Sequence, residues 1–235
     1  MPEGLSNNDP TKTATPGPVP AAGKPFHFTT SAHLLRIGQE KATTLAQLLA
    51  GLRNCPEESI FQHTFRTLEE HHFASHGFSN DFAQWAFTAC NEPGLGERLA
   101  GVDVREFTSL PDLRQCIVEI VEQYIRRNPR STDRVAREPF FFCSAEIVVL
   151  PTPFVASNLP EFLDGLARVT VHSIHHHFIE GRLRLKLASN DFSFWLQTEL
   201  GLADTARRIN RIDIYTATLE EVRRQIIGIA QQAAA

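Results

Sequence analysis

Ser59, Ile60 and His63 recur as Ser173, Ile174 and His177, and this Ser-Ile-x-x-His spacing is where chemistry could reside. Residues four apart share one helical face, so hydroxyl and imidazole can approach each other or a common partner. A second string, Ser-Asn-Asp-Phe-x-x-Trp, covers residues 79–85 and 189–195. If Asp81 meets His63 and Asp191 meets His177, each imidazole gains an orienting carboxylate that raises its basicity. That pair is the working part of a general base. The same residues also have plain structural uses, and these are preferred. Asn80 and Asn190 sit where a helix N-cap belongs, and Asp81 complements the helix dipole. Phe82 and Trp85, three apart, share a core face.

Two further sets of residues bear on chemistry. Asp103 and Asp213 precede a final helix in which Arg114 and Arg223 recur. A charge-assisted bond tying loop to helix is the simpler account, and an anion site on the two arginines the sharper one. The candidate binding residues are therefore His63, Asn80, Asp81, Arg114, His177, Asn190, Asp191 and Arg223. Histidines also cluster, at His71, His72 and His76 and again at His172, His175, His176 and His177. Glu69-x-x-His72 has the spacing that feeds di-iron bundles, but those need a second such motif, and residues 181–184 supply none. No metal and no cofactor are expected. A glycine-rich phosphate loop, a Gly-x-Ser-x-Gly elbow and a His-Glu-x-x-His motif are all absent from the sequence.

These recurrences belong to a longer series. Phe26-His27-Phe28 aligns with Phe140-Phe141-Phe142 at an offset of 114, as do Gly51-Leu52 with Gly165-Leu166. Ordered matches along the whole length predict an internal duplication. The expected organisation is a disordered leader at 1–24, a first helical repeat at 25–127, a linker at 128–138 and a second repeat at 139–232. The leader carries five prolines and only one large apolar residue beyond its Met, too little to offset ordering entropy.

Most of each repeat reads as helix. Leu45, Leu48, Leu49 and Leu52 lie at the spacing of one apolar helix face. Pro56 suits the first turn of a helix running to about His72. Further helices are expected over 81–90 and 109–126. The last begins at the capping box Thr218-Leu219-Glu220-Glu221. The Phe-rich starts suit short extended segments. Residues 182–187 alternate like a strand, although their counterparts read as helix. The predicted fold is mainly α, two units of ~100 residues packed as a pseudo-dimer.

Composition narrows the function classes. The 235 residues carry a net charge of −4, which argues against nucleic acid as a partner. Four scattered cysteines form no C-x-x-C pair, and no apolar run approaches the ~20 residues of a membrane span. A cytoplasmic location and no membrane partner are expected. Phe-x-Phe, Ser-Ile-x-x-His, Asn-Asp-Phe-x-x-Trp and the terminal Leu-x-x-Leu/Val-Arg together resemble an uncharacterised bacterial family, the domain of unknown function family numbered 5752. The resemblance spans about residues 25–230 and implies no reaction. The leading expectation is a non-catalytic binding or scaffold module for a small polar ligand or a partner protein at the unit interface. The alternative is a hydrolase or isomerase using His63 with Asp81, or His177 with Asp191.

Overall fold

The computed structural model describes residues 21–66 and 78–233. Two antiparallel strand pairs and a set of helices share one continuous apolar core. Strand β1 (Phe26–Arg36) pairs with β4 (Ser144–Ala156) in a long ribbon whose register runs from Phe26–Ala156 to Arg36–Ser144. β2 (Lys41–Ala42) pairs with β3 (Phe140–Phe141). The first helices are α1 (Leu45–Asn54) and α2 (Glu57–Phe61), and α2 continues as a π-helical turn over Gln62–Arg66. Then come α3 (Asp81–Thr88), α4 (Pro93–Ala100) and α5 (Leu110–Arg127). After β4 follow α6 (Leu159–Arg168) and α7 (Val171–Ile174), which continues as a π-helical turn over His175–Ile179. The chain ends with α8 (Gly181–Leu185), α9 (Asp191–Thr198), α10 (Ala203–Asn210) and α11 (Leu219–Gln231).

Local chemistry sets many of the boundaries. Thr44 and Ser109 cap α1 and α5 through their hydroxyls. Asn80 and Asn190 cap α3 and α9, each side-chain carbonyl accepting from the backbone three residues on. Thr218 and Glu221 complete the expected capping box. Residues 181–185 are helical despite their alternation, and Lys186 closes that helix in the left-handed region at φ 52°.

The expectation of a mainly helical chain is overturned by the two strand pairs, and above all by the β1–β4 ribbon. The chain also does not divide into two self-contained helical units packed as a pseudo-dimer. Phe26 and Phe28 leave their own segment and pack on Phe162, Phe192 and Trp195 of the other. Phe140 crosses the opposite way, onto Phe82 and Trp85. A duplicated unit is therefore not what the structure displays, because each matched segment completes the core of the other.

Two glycines mark how closely the crossing strands seat. A Cβ on Gly51 would lie 2.2 Å from the Phe142 ring, and one on Gly165 would lie 2.4 Å from the Phe28 ring. Each helix can receive its phenylalanine because the side chain beneath it is a hydrogen. The predicted leader falls almost wholly outside the described residues. Its last residues are pinned: the Ala22 amide donates to the Ser157 carbonyl at 2.7 Å. Residues 67–77, including Glu69 and the histidines at 71, 72 and 76, also lie outside the described residues.

Candidate functional site

The π-helical turns set the geometry of both recurring histidines. His63 Nδ1 lies 2.7 Å from Asp81 Oδ2, and His177 Nδ1 lies 2.8 Å from Asp191 Oδ2. The structure thus brings together the His–Asp couples expected from sequence. The far nitrogens decide what the couples can do. His63 Nε2 accepts the Cys143 backbone N–H at 2.9 Å, and His177 Nε2 accepts the Thr29 N–H at 2.9 Å. A lone pair that accepts an amide proton belongs to a neutral ring, so Nδ1 carries the hydrogen and donates it to the aspartate. Burial pushes the His177 pKa down, in the same sense. Both nitrogens are used within the fold, and both rings pack against phenylalanines.

Ser173 shows what the Ser-Ile-x-x-His spacing achieves. Its hydroxyl donates to the Thr29 carbonyl at 2.6 Å, while His177 accepts from the Thr29 amide. One helical face therefore grips both backbone groups of one residue on the crossing strand. No such bond links Ser59 to Cys143 among the described residues, although Ser59 is sealed in the core. Just before each crossing strand a tryptophan acts as a further clasp. Trp85 Nε1 donates to the Glu138 carbonyl and Trp195 Nε1 to the Lys24 carbonyl, both at 2.8 Å.

The arginines are placed elsewhere. Arg223 Nη1 donates to the Leu166 and Ala167 carbonyls at the end of α6, and Arg114 Nη1 to the Arg53 carbonyl at the end of α1. These contacts supply donors to unpaired terminal carbonyls. The predicted Asp–Arg ties do not form. Asp103 instead takes Arg105 and the Tyr215 hydroxyl, and Asp213 takes the Tyr215 amide and Thr216. Burial raises the thiols of Cys55 and Cys90, the latter to about 12, so neither is a ready nucleophile.

A different group lies where the two segments meet. The Glu180 carboxylate is buried, and three imidazole nitrogens approach it: His33 Nε2 at 3.2 Å, His175 Nδ1 at 3.1 Å and His176 Nδ1 at 3.0 Å. Burial alone would raise its pKa, but the close approach of these imidazoles, with His176 hydrogen-bonded to it, reverses that and holds Glu180 far below the usual carboxylate range. Arg184 bonds the His176 carbonyl and Asp191 and lies 3.6 Å from Glu180. Its guanidinium also reaches within 3.2 Å of His176 Nδ1, the nitrogen that faces Glu180. Among the described residues no group of three or more His, Cys, Asp or Glu is arranged to hold a metal ion.

His176, Glu180 and Arg184 form one wall of a cleft of about 300 Å³. Ala145, Ile147 and Val149 of the ribbon are its floor. Glu57, Glu58 and Phe61 of α2, with Leu110 of α5, also line it. This volume is at the lower end of the range for small-molecule sites.

Residues 23–231 match the model of a family described as being of unknown function, DUF5752. The chain belongs to this family. No curated protein matches the chain. Among solved structures, this family member is similar to one described as "The structure of OrfY from Thermoproteus tenax". The two are 28% identical with a TM-score of 0.80, covering 92% of this chain and 98% of the other. Neither match carries a reaction, and neither supplies the bacterial restriction expected from the sequence. Among the described residues of this family member no helix is long and apolar enough to cross a membrane.

Sequence reasoning singled out the recurring residues and passed over the cleft. His33, Glu180 and Arg184 do not recur at matched positions, so a search for repeats cannot find them. One signal was present: four polar or charged residues, His175, His176, His177 and Glu180, share a short segment with Phe178 and Ile179. Such a mixture on a buried helix requires partners.

Proposed function

We propose that the protein is a non-catalytic binding module whose ligand site is the cleft between α2, the ribbon and α8. One observation carries this reading: neither His63 nor His177 has a ring nitrogen left for a substrate, because aspartate and a backbone amide take both. A general base needs a lone pair within reach of the proton it removes. The cleft, by contrast, is open and lined by apolar side chains with a few convergent polar groups, which suits a bound small molecule.

A fragment screen by amide NMR on the full chain tests the reading. Bound fragments should shift the signals of Phe61, Ile147, Val149 and Leu183 and leave Cys143 and Thr29 in place. Fragments gathering at His63 or His177, or hydrolytic turnover lost in His63→Gln, would overturn it.

A further inference from the structure

We infer that the cleft takes a small amphipathic amine, its apolar body lying on Ile147 and Val149 and its ammonium held at the mouth by Glu57 and Glu58. This rests on the reading of the cleft as the binding site and names the chemistry of its ligand.

The charges lining the cleft point to a cation. Four charged side chains line it: Glu57, Glu58, Glu180 and Arg184. Arg184 is already shared among Asp191, Glu180 and the His176 carbonyl. An anionic ligand would have to draw it away from two carboxylates. Glu180 is sealed at the inner wall and faces imidazoles. Glu57 and Glu58 are different. Both are exposed, and neither carboxylate is in an ion pair among the described residues. The open charge at the mouth is therefore negative.

The remaining lining is apolar. Phe61, Leu110, Ala145 and Leu183 surround Ile147 and Val149, which stay 42% and 51% exposed. A purely apolar guest would cover this surface but leave the two mouth carboxylates partly desolvated without a counter-charge. A hydrophilic cation would leave the apolar floor wet. An alkyl or arylalkyl ammonium satisfies both parts, and its size is limited by the cleft.

Titration calorimetry on the full chain at low salt, with n-hexylamine, n-hexanol and hexanoate, tests this. Hexylamine should bind about fivefold more tightly than hexanol, the gain expected from two solvent-exposed carboxylates. Hexanoate should bind more weakly than hexanol, and added salt should narrow the differences. In the Glu57→Gln/Glu58→Gln variant the amine's advantage should disappear while hexanol binds as before. Val149→Trp, or Ile147→Trp at the neighbouring exposed position, should block all three. Equal binding of the three probes, or an advantage that survives the double glutamine variant, overturns the amine assignment and leaves the cleft as the site. Binding of none of them, or binding indifferent to both tryptophan variants, removes the cleft as a ligand site as well.

Discussion

His63 and His177 are held by the same pair of bonds, yet their surroundings differ one side chain further out. Asp81 leaves 38% of its side chain in solvent, and no arginine pairs with it among the described residues. Asp191 leaves 17% and also takes Arg184, which leads on to His176 and Glu180. At the matched positions of the first segment stand Gln62 in place of His176 and Arg66 in place of Glu180. What the two regions share grips a crossing strand, which is a folding requirement. What they do not share builds the inner wall of the cleft. Difference between matched segments, rather than likeness, marks the cleft proposed as the ligand site.

This comparison can be broken most directly at the histidines. His177→Ala removes a buried ring and leaves the Thr29 amide and Asp191 without their partner, so a loss of about 4 kcal/mol is expected. His63→Ala should cost less, about 3 kcal/mol, because Asp81 can turn to water. Urea denaturation of both variants checks the order, and equal losses would remove the distinction drawn between the two regions.

The glycines come next. Gly51→Ala and Gly165→Ala should each cost about 2 kcal/mol by driving a methyl group into a phenylalanine ring. Phe142→Leu should recover part of the loss in Gly51→Ala, and Phe28→Leu part of that in Gly165→Ala. Rescue in the opposite pairing would mean that the strands do not cross as described.

Acid should weaken the second region by a further, smaller amount. Burial holds the His177 pKa below its unfolded value, so the unfolded chain takes up that proton first. This contribution is complete above about pH 6.5 and falls as pH drops below it. For Asp191 and Glu180, burial pushes upward, but histidine partners at both, joined by Arg184 at Asp191, outweigh it and hold both below their unfolded values. Their contribution is present above about pH 4 and is lost as pH falls further. Melting temperatures should therefore decline from pH 7 to 5 and more steeply towards pH 3. The steep limb should flatten in Asp191→Asn. The smallest contrast is at the helix ends. Arg223→Ala should cost about 1 kcal/mol and Arg114→Ala less, since the Arg223 contacts are shorter and more buried.

Much of the helical frame was legible because capping and periodicity act within a few residues. Thr218 with Glu221, Asn80 and Asn190 declare helix starts locally. The His–Asp couples were legible too, since both partners recur together. The ribbon was not. Ile147 and Val149 line the cleft and Val148 and Leu150 do not, yet all four are apolar and more than a third exposed. Without alternation there is no strand period to read. The second helix was expected to run uniformly from Pro56, whereas a π-helical turn begins at Gln62, a change in hydrogen bonding that no residue type announces. Above all, nothing in Phe-x-Phe tells which core it will enter. Gly51 and Gly165 held that information as matched glycines on helix faces, but only the ring above each one explains them.

The two indole clasps make the molecule its own optical reporter. Each of its two tryptophans is buried, and each binds the backbone at the root of a different crossing strand. With Trp85→Phe, the remaining emission tracks the arrival of residues 24–28. With Trp195→Phe, it tracks the arrival of residues 138–142. Stopped-flow refolding of the pair would time the two arrivals separately, and so tell whether the cleft is completed by the early strand or the late one.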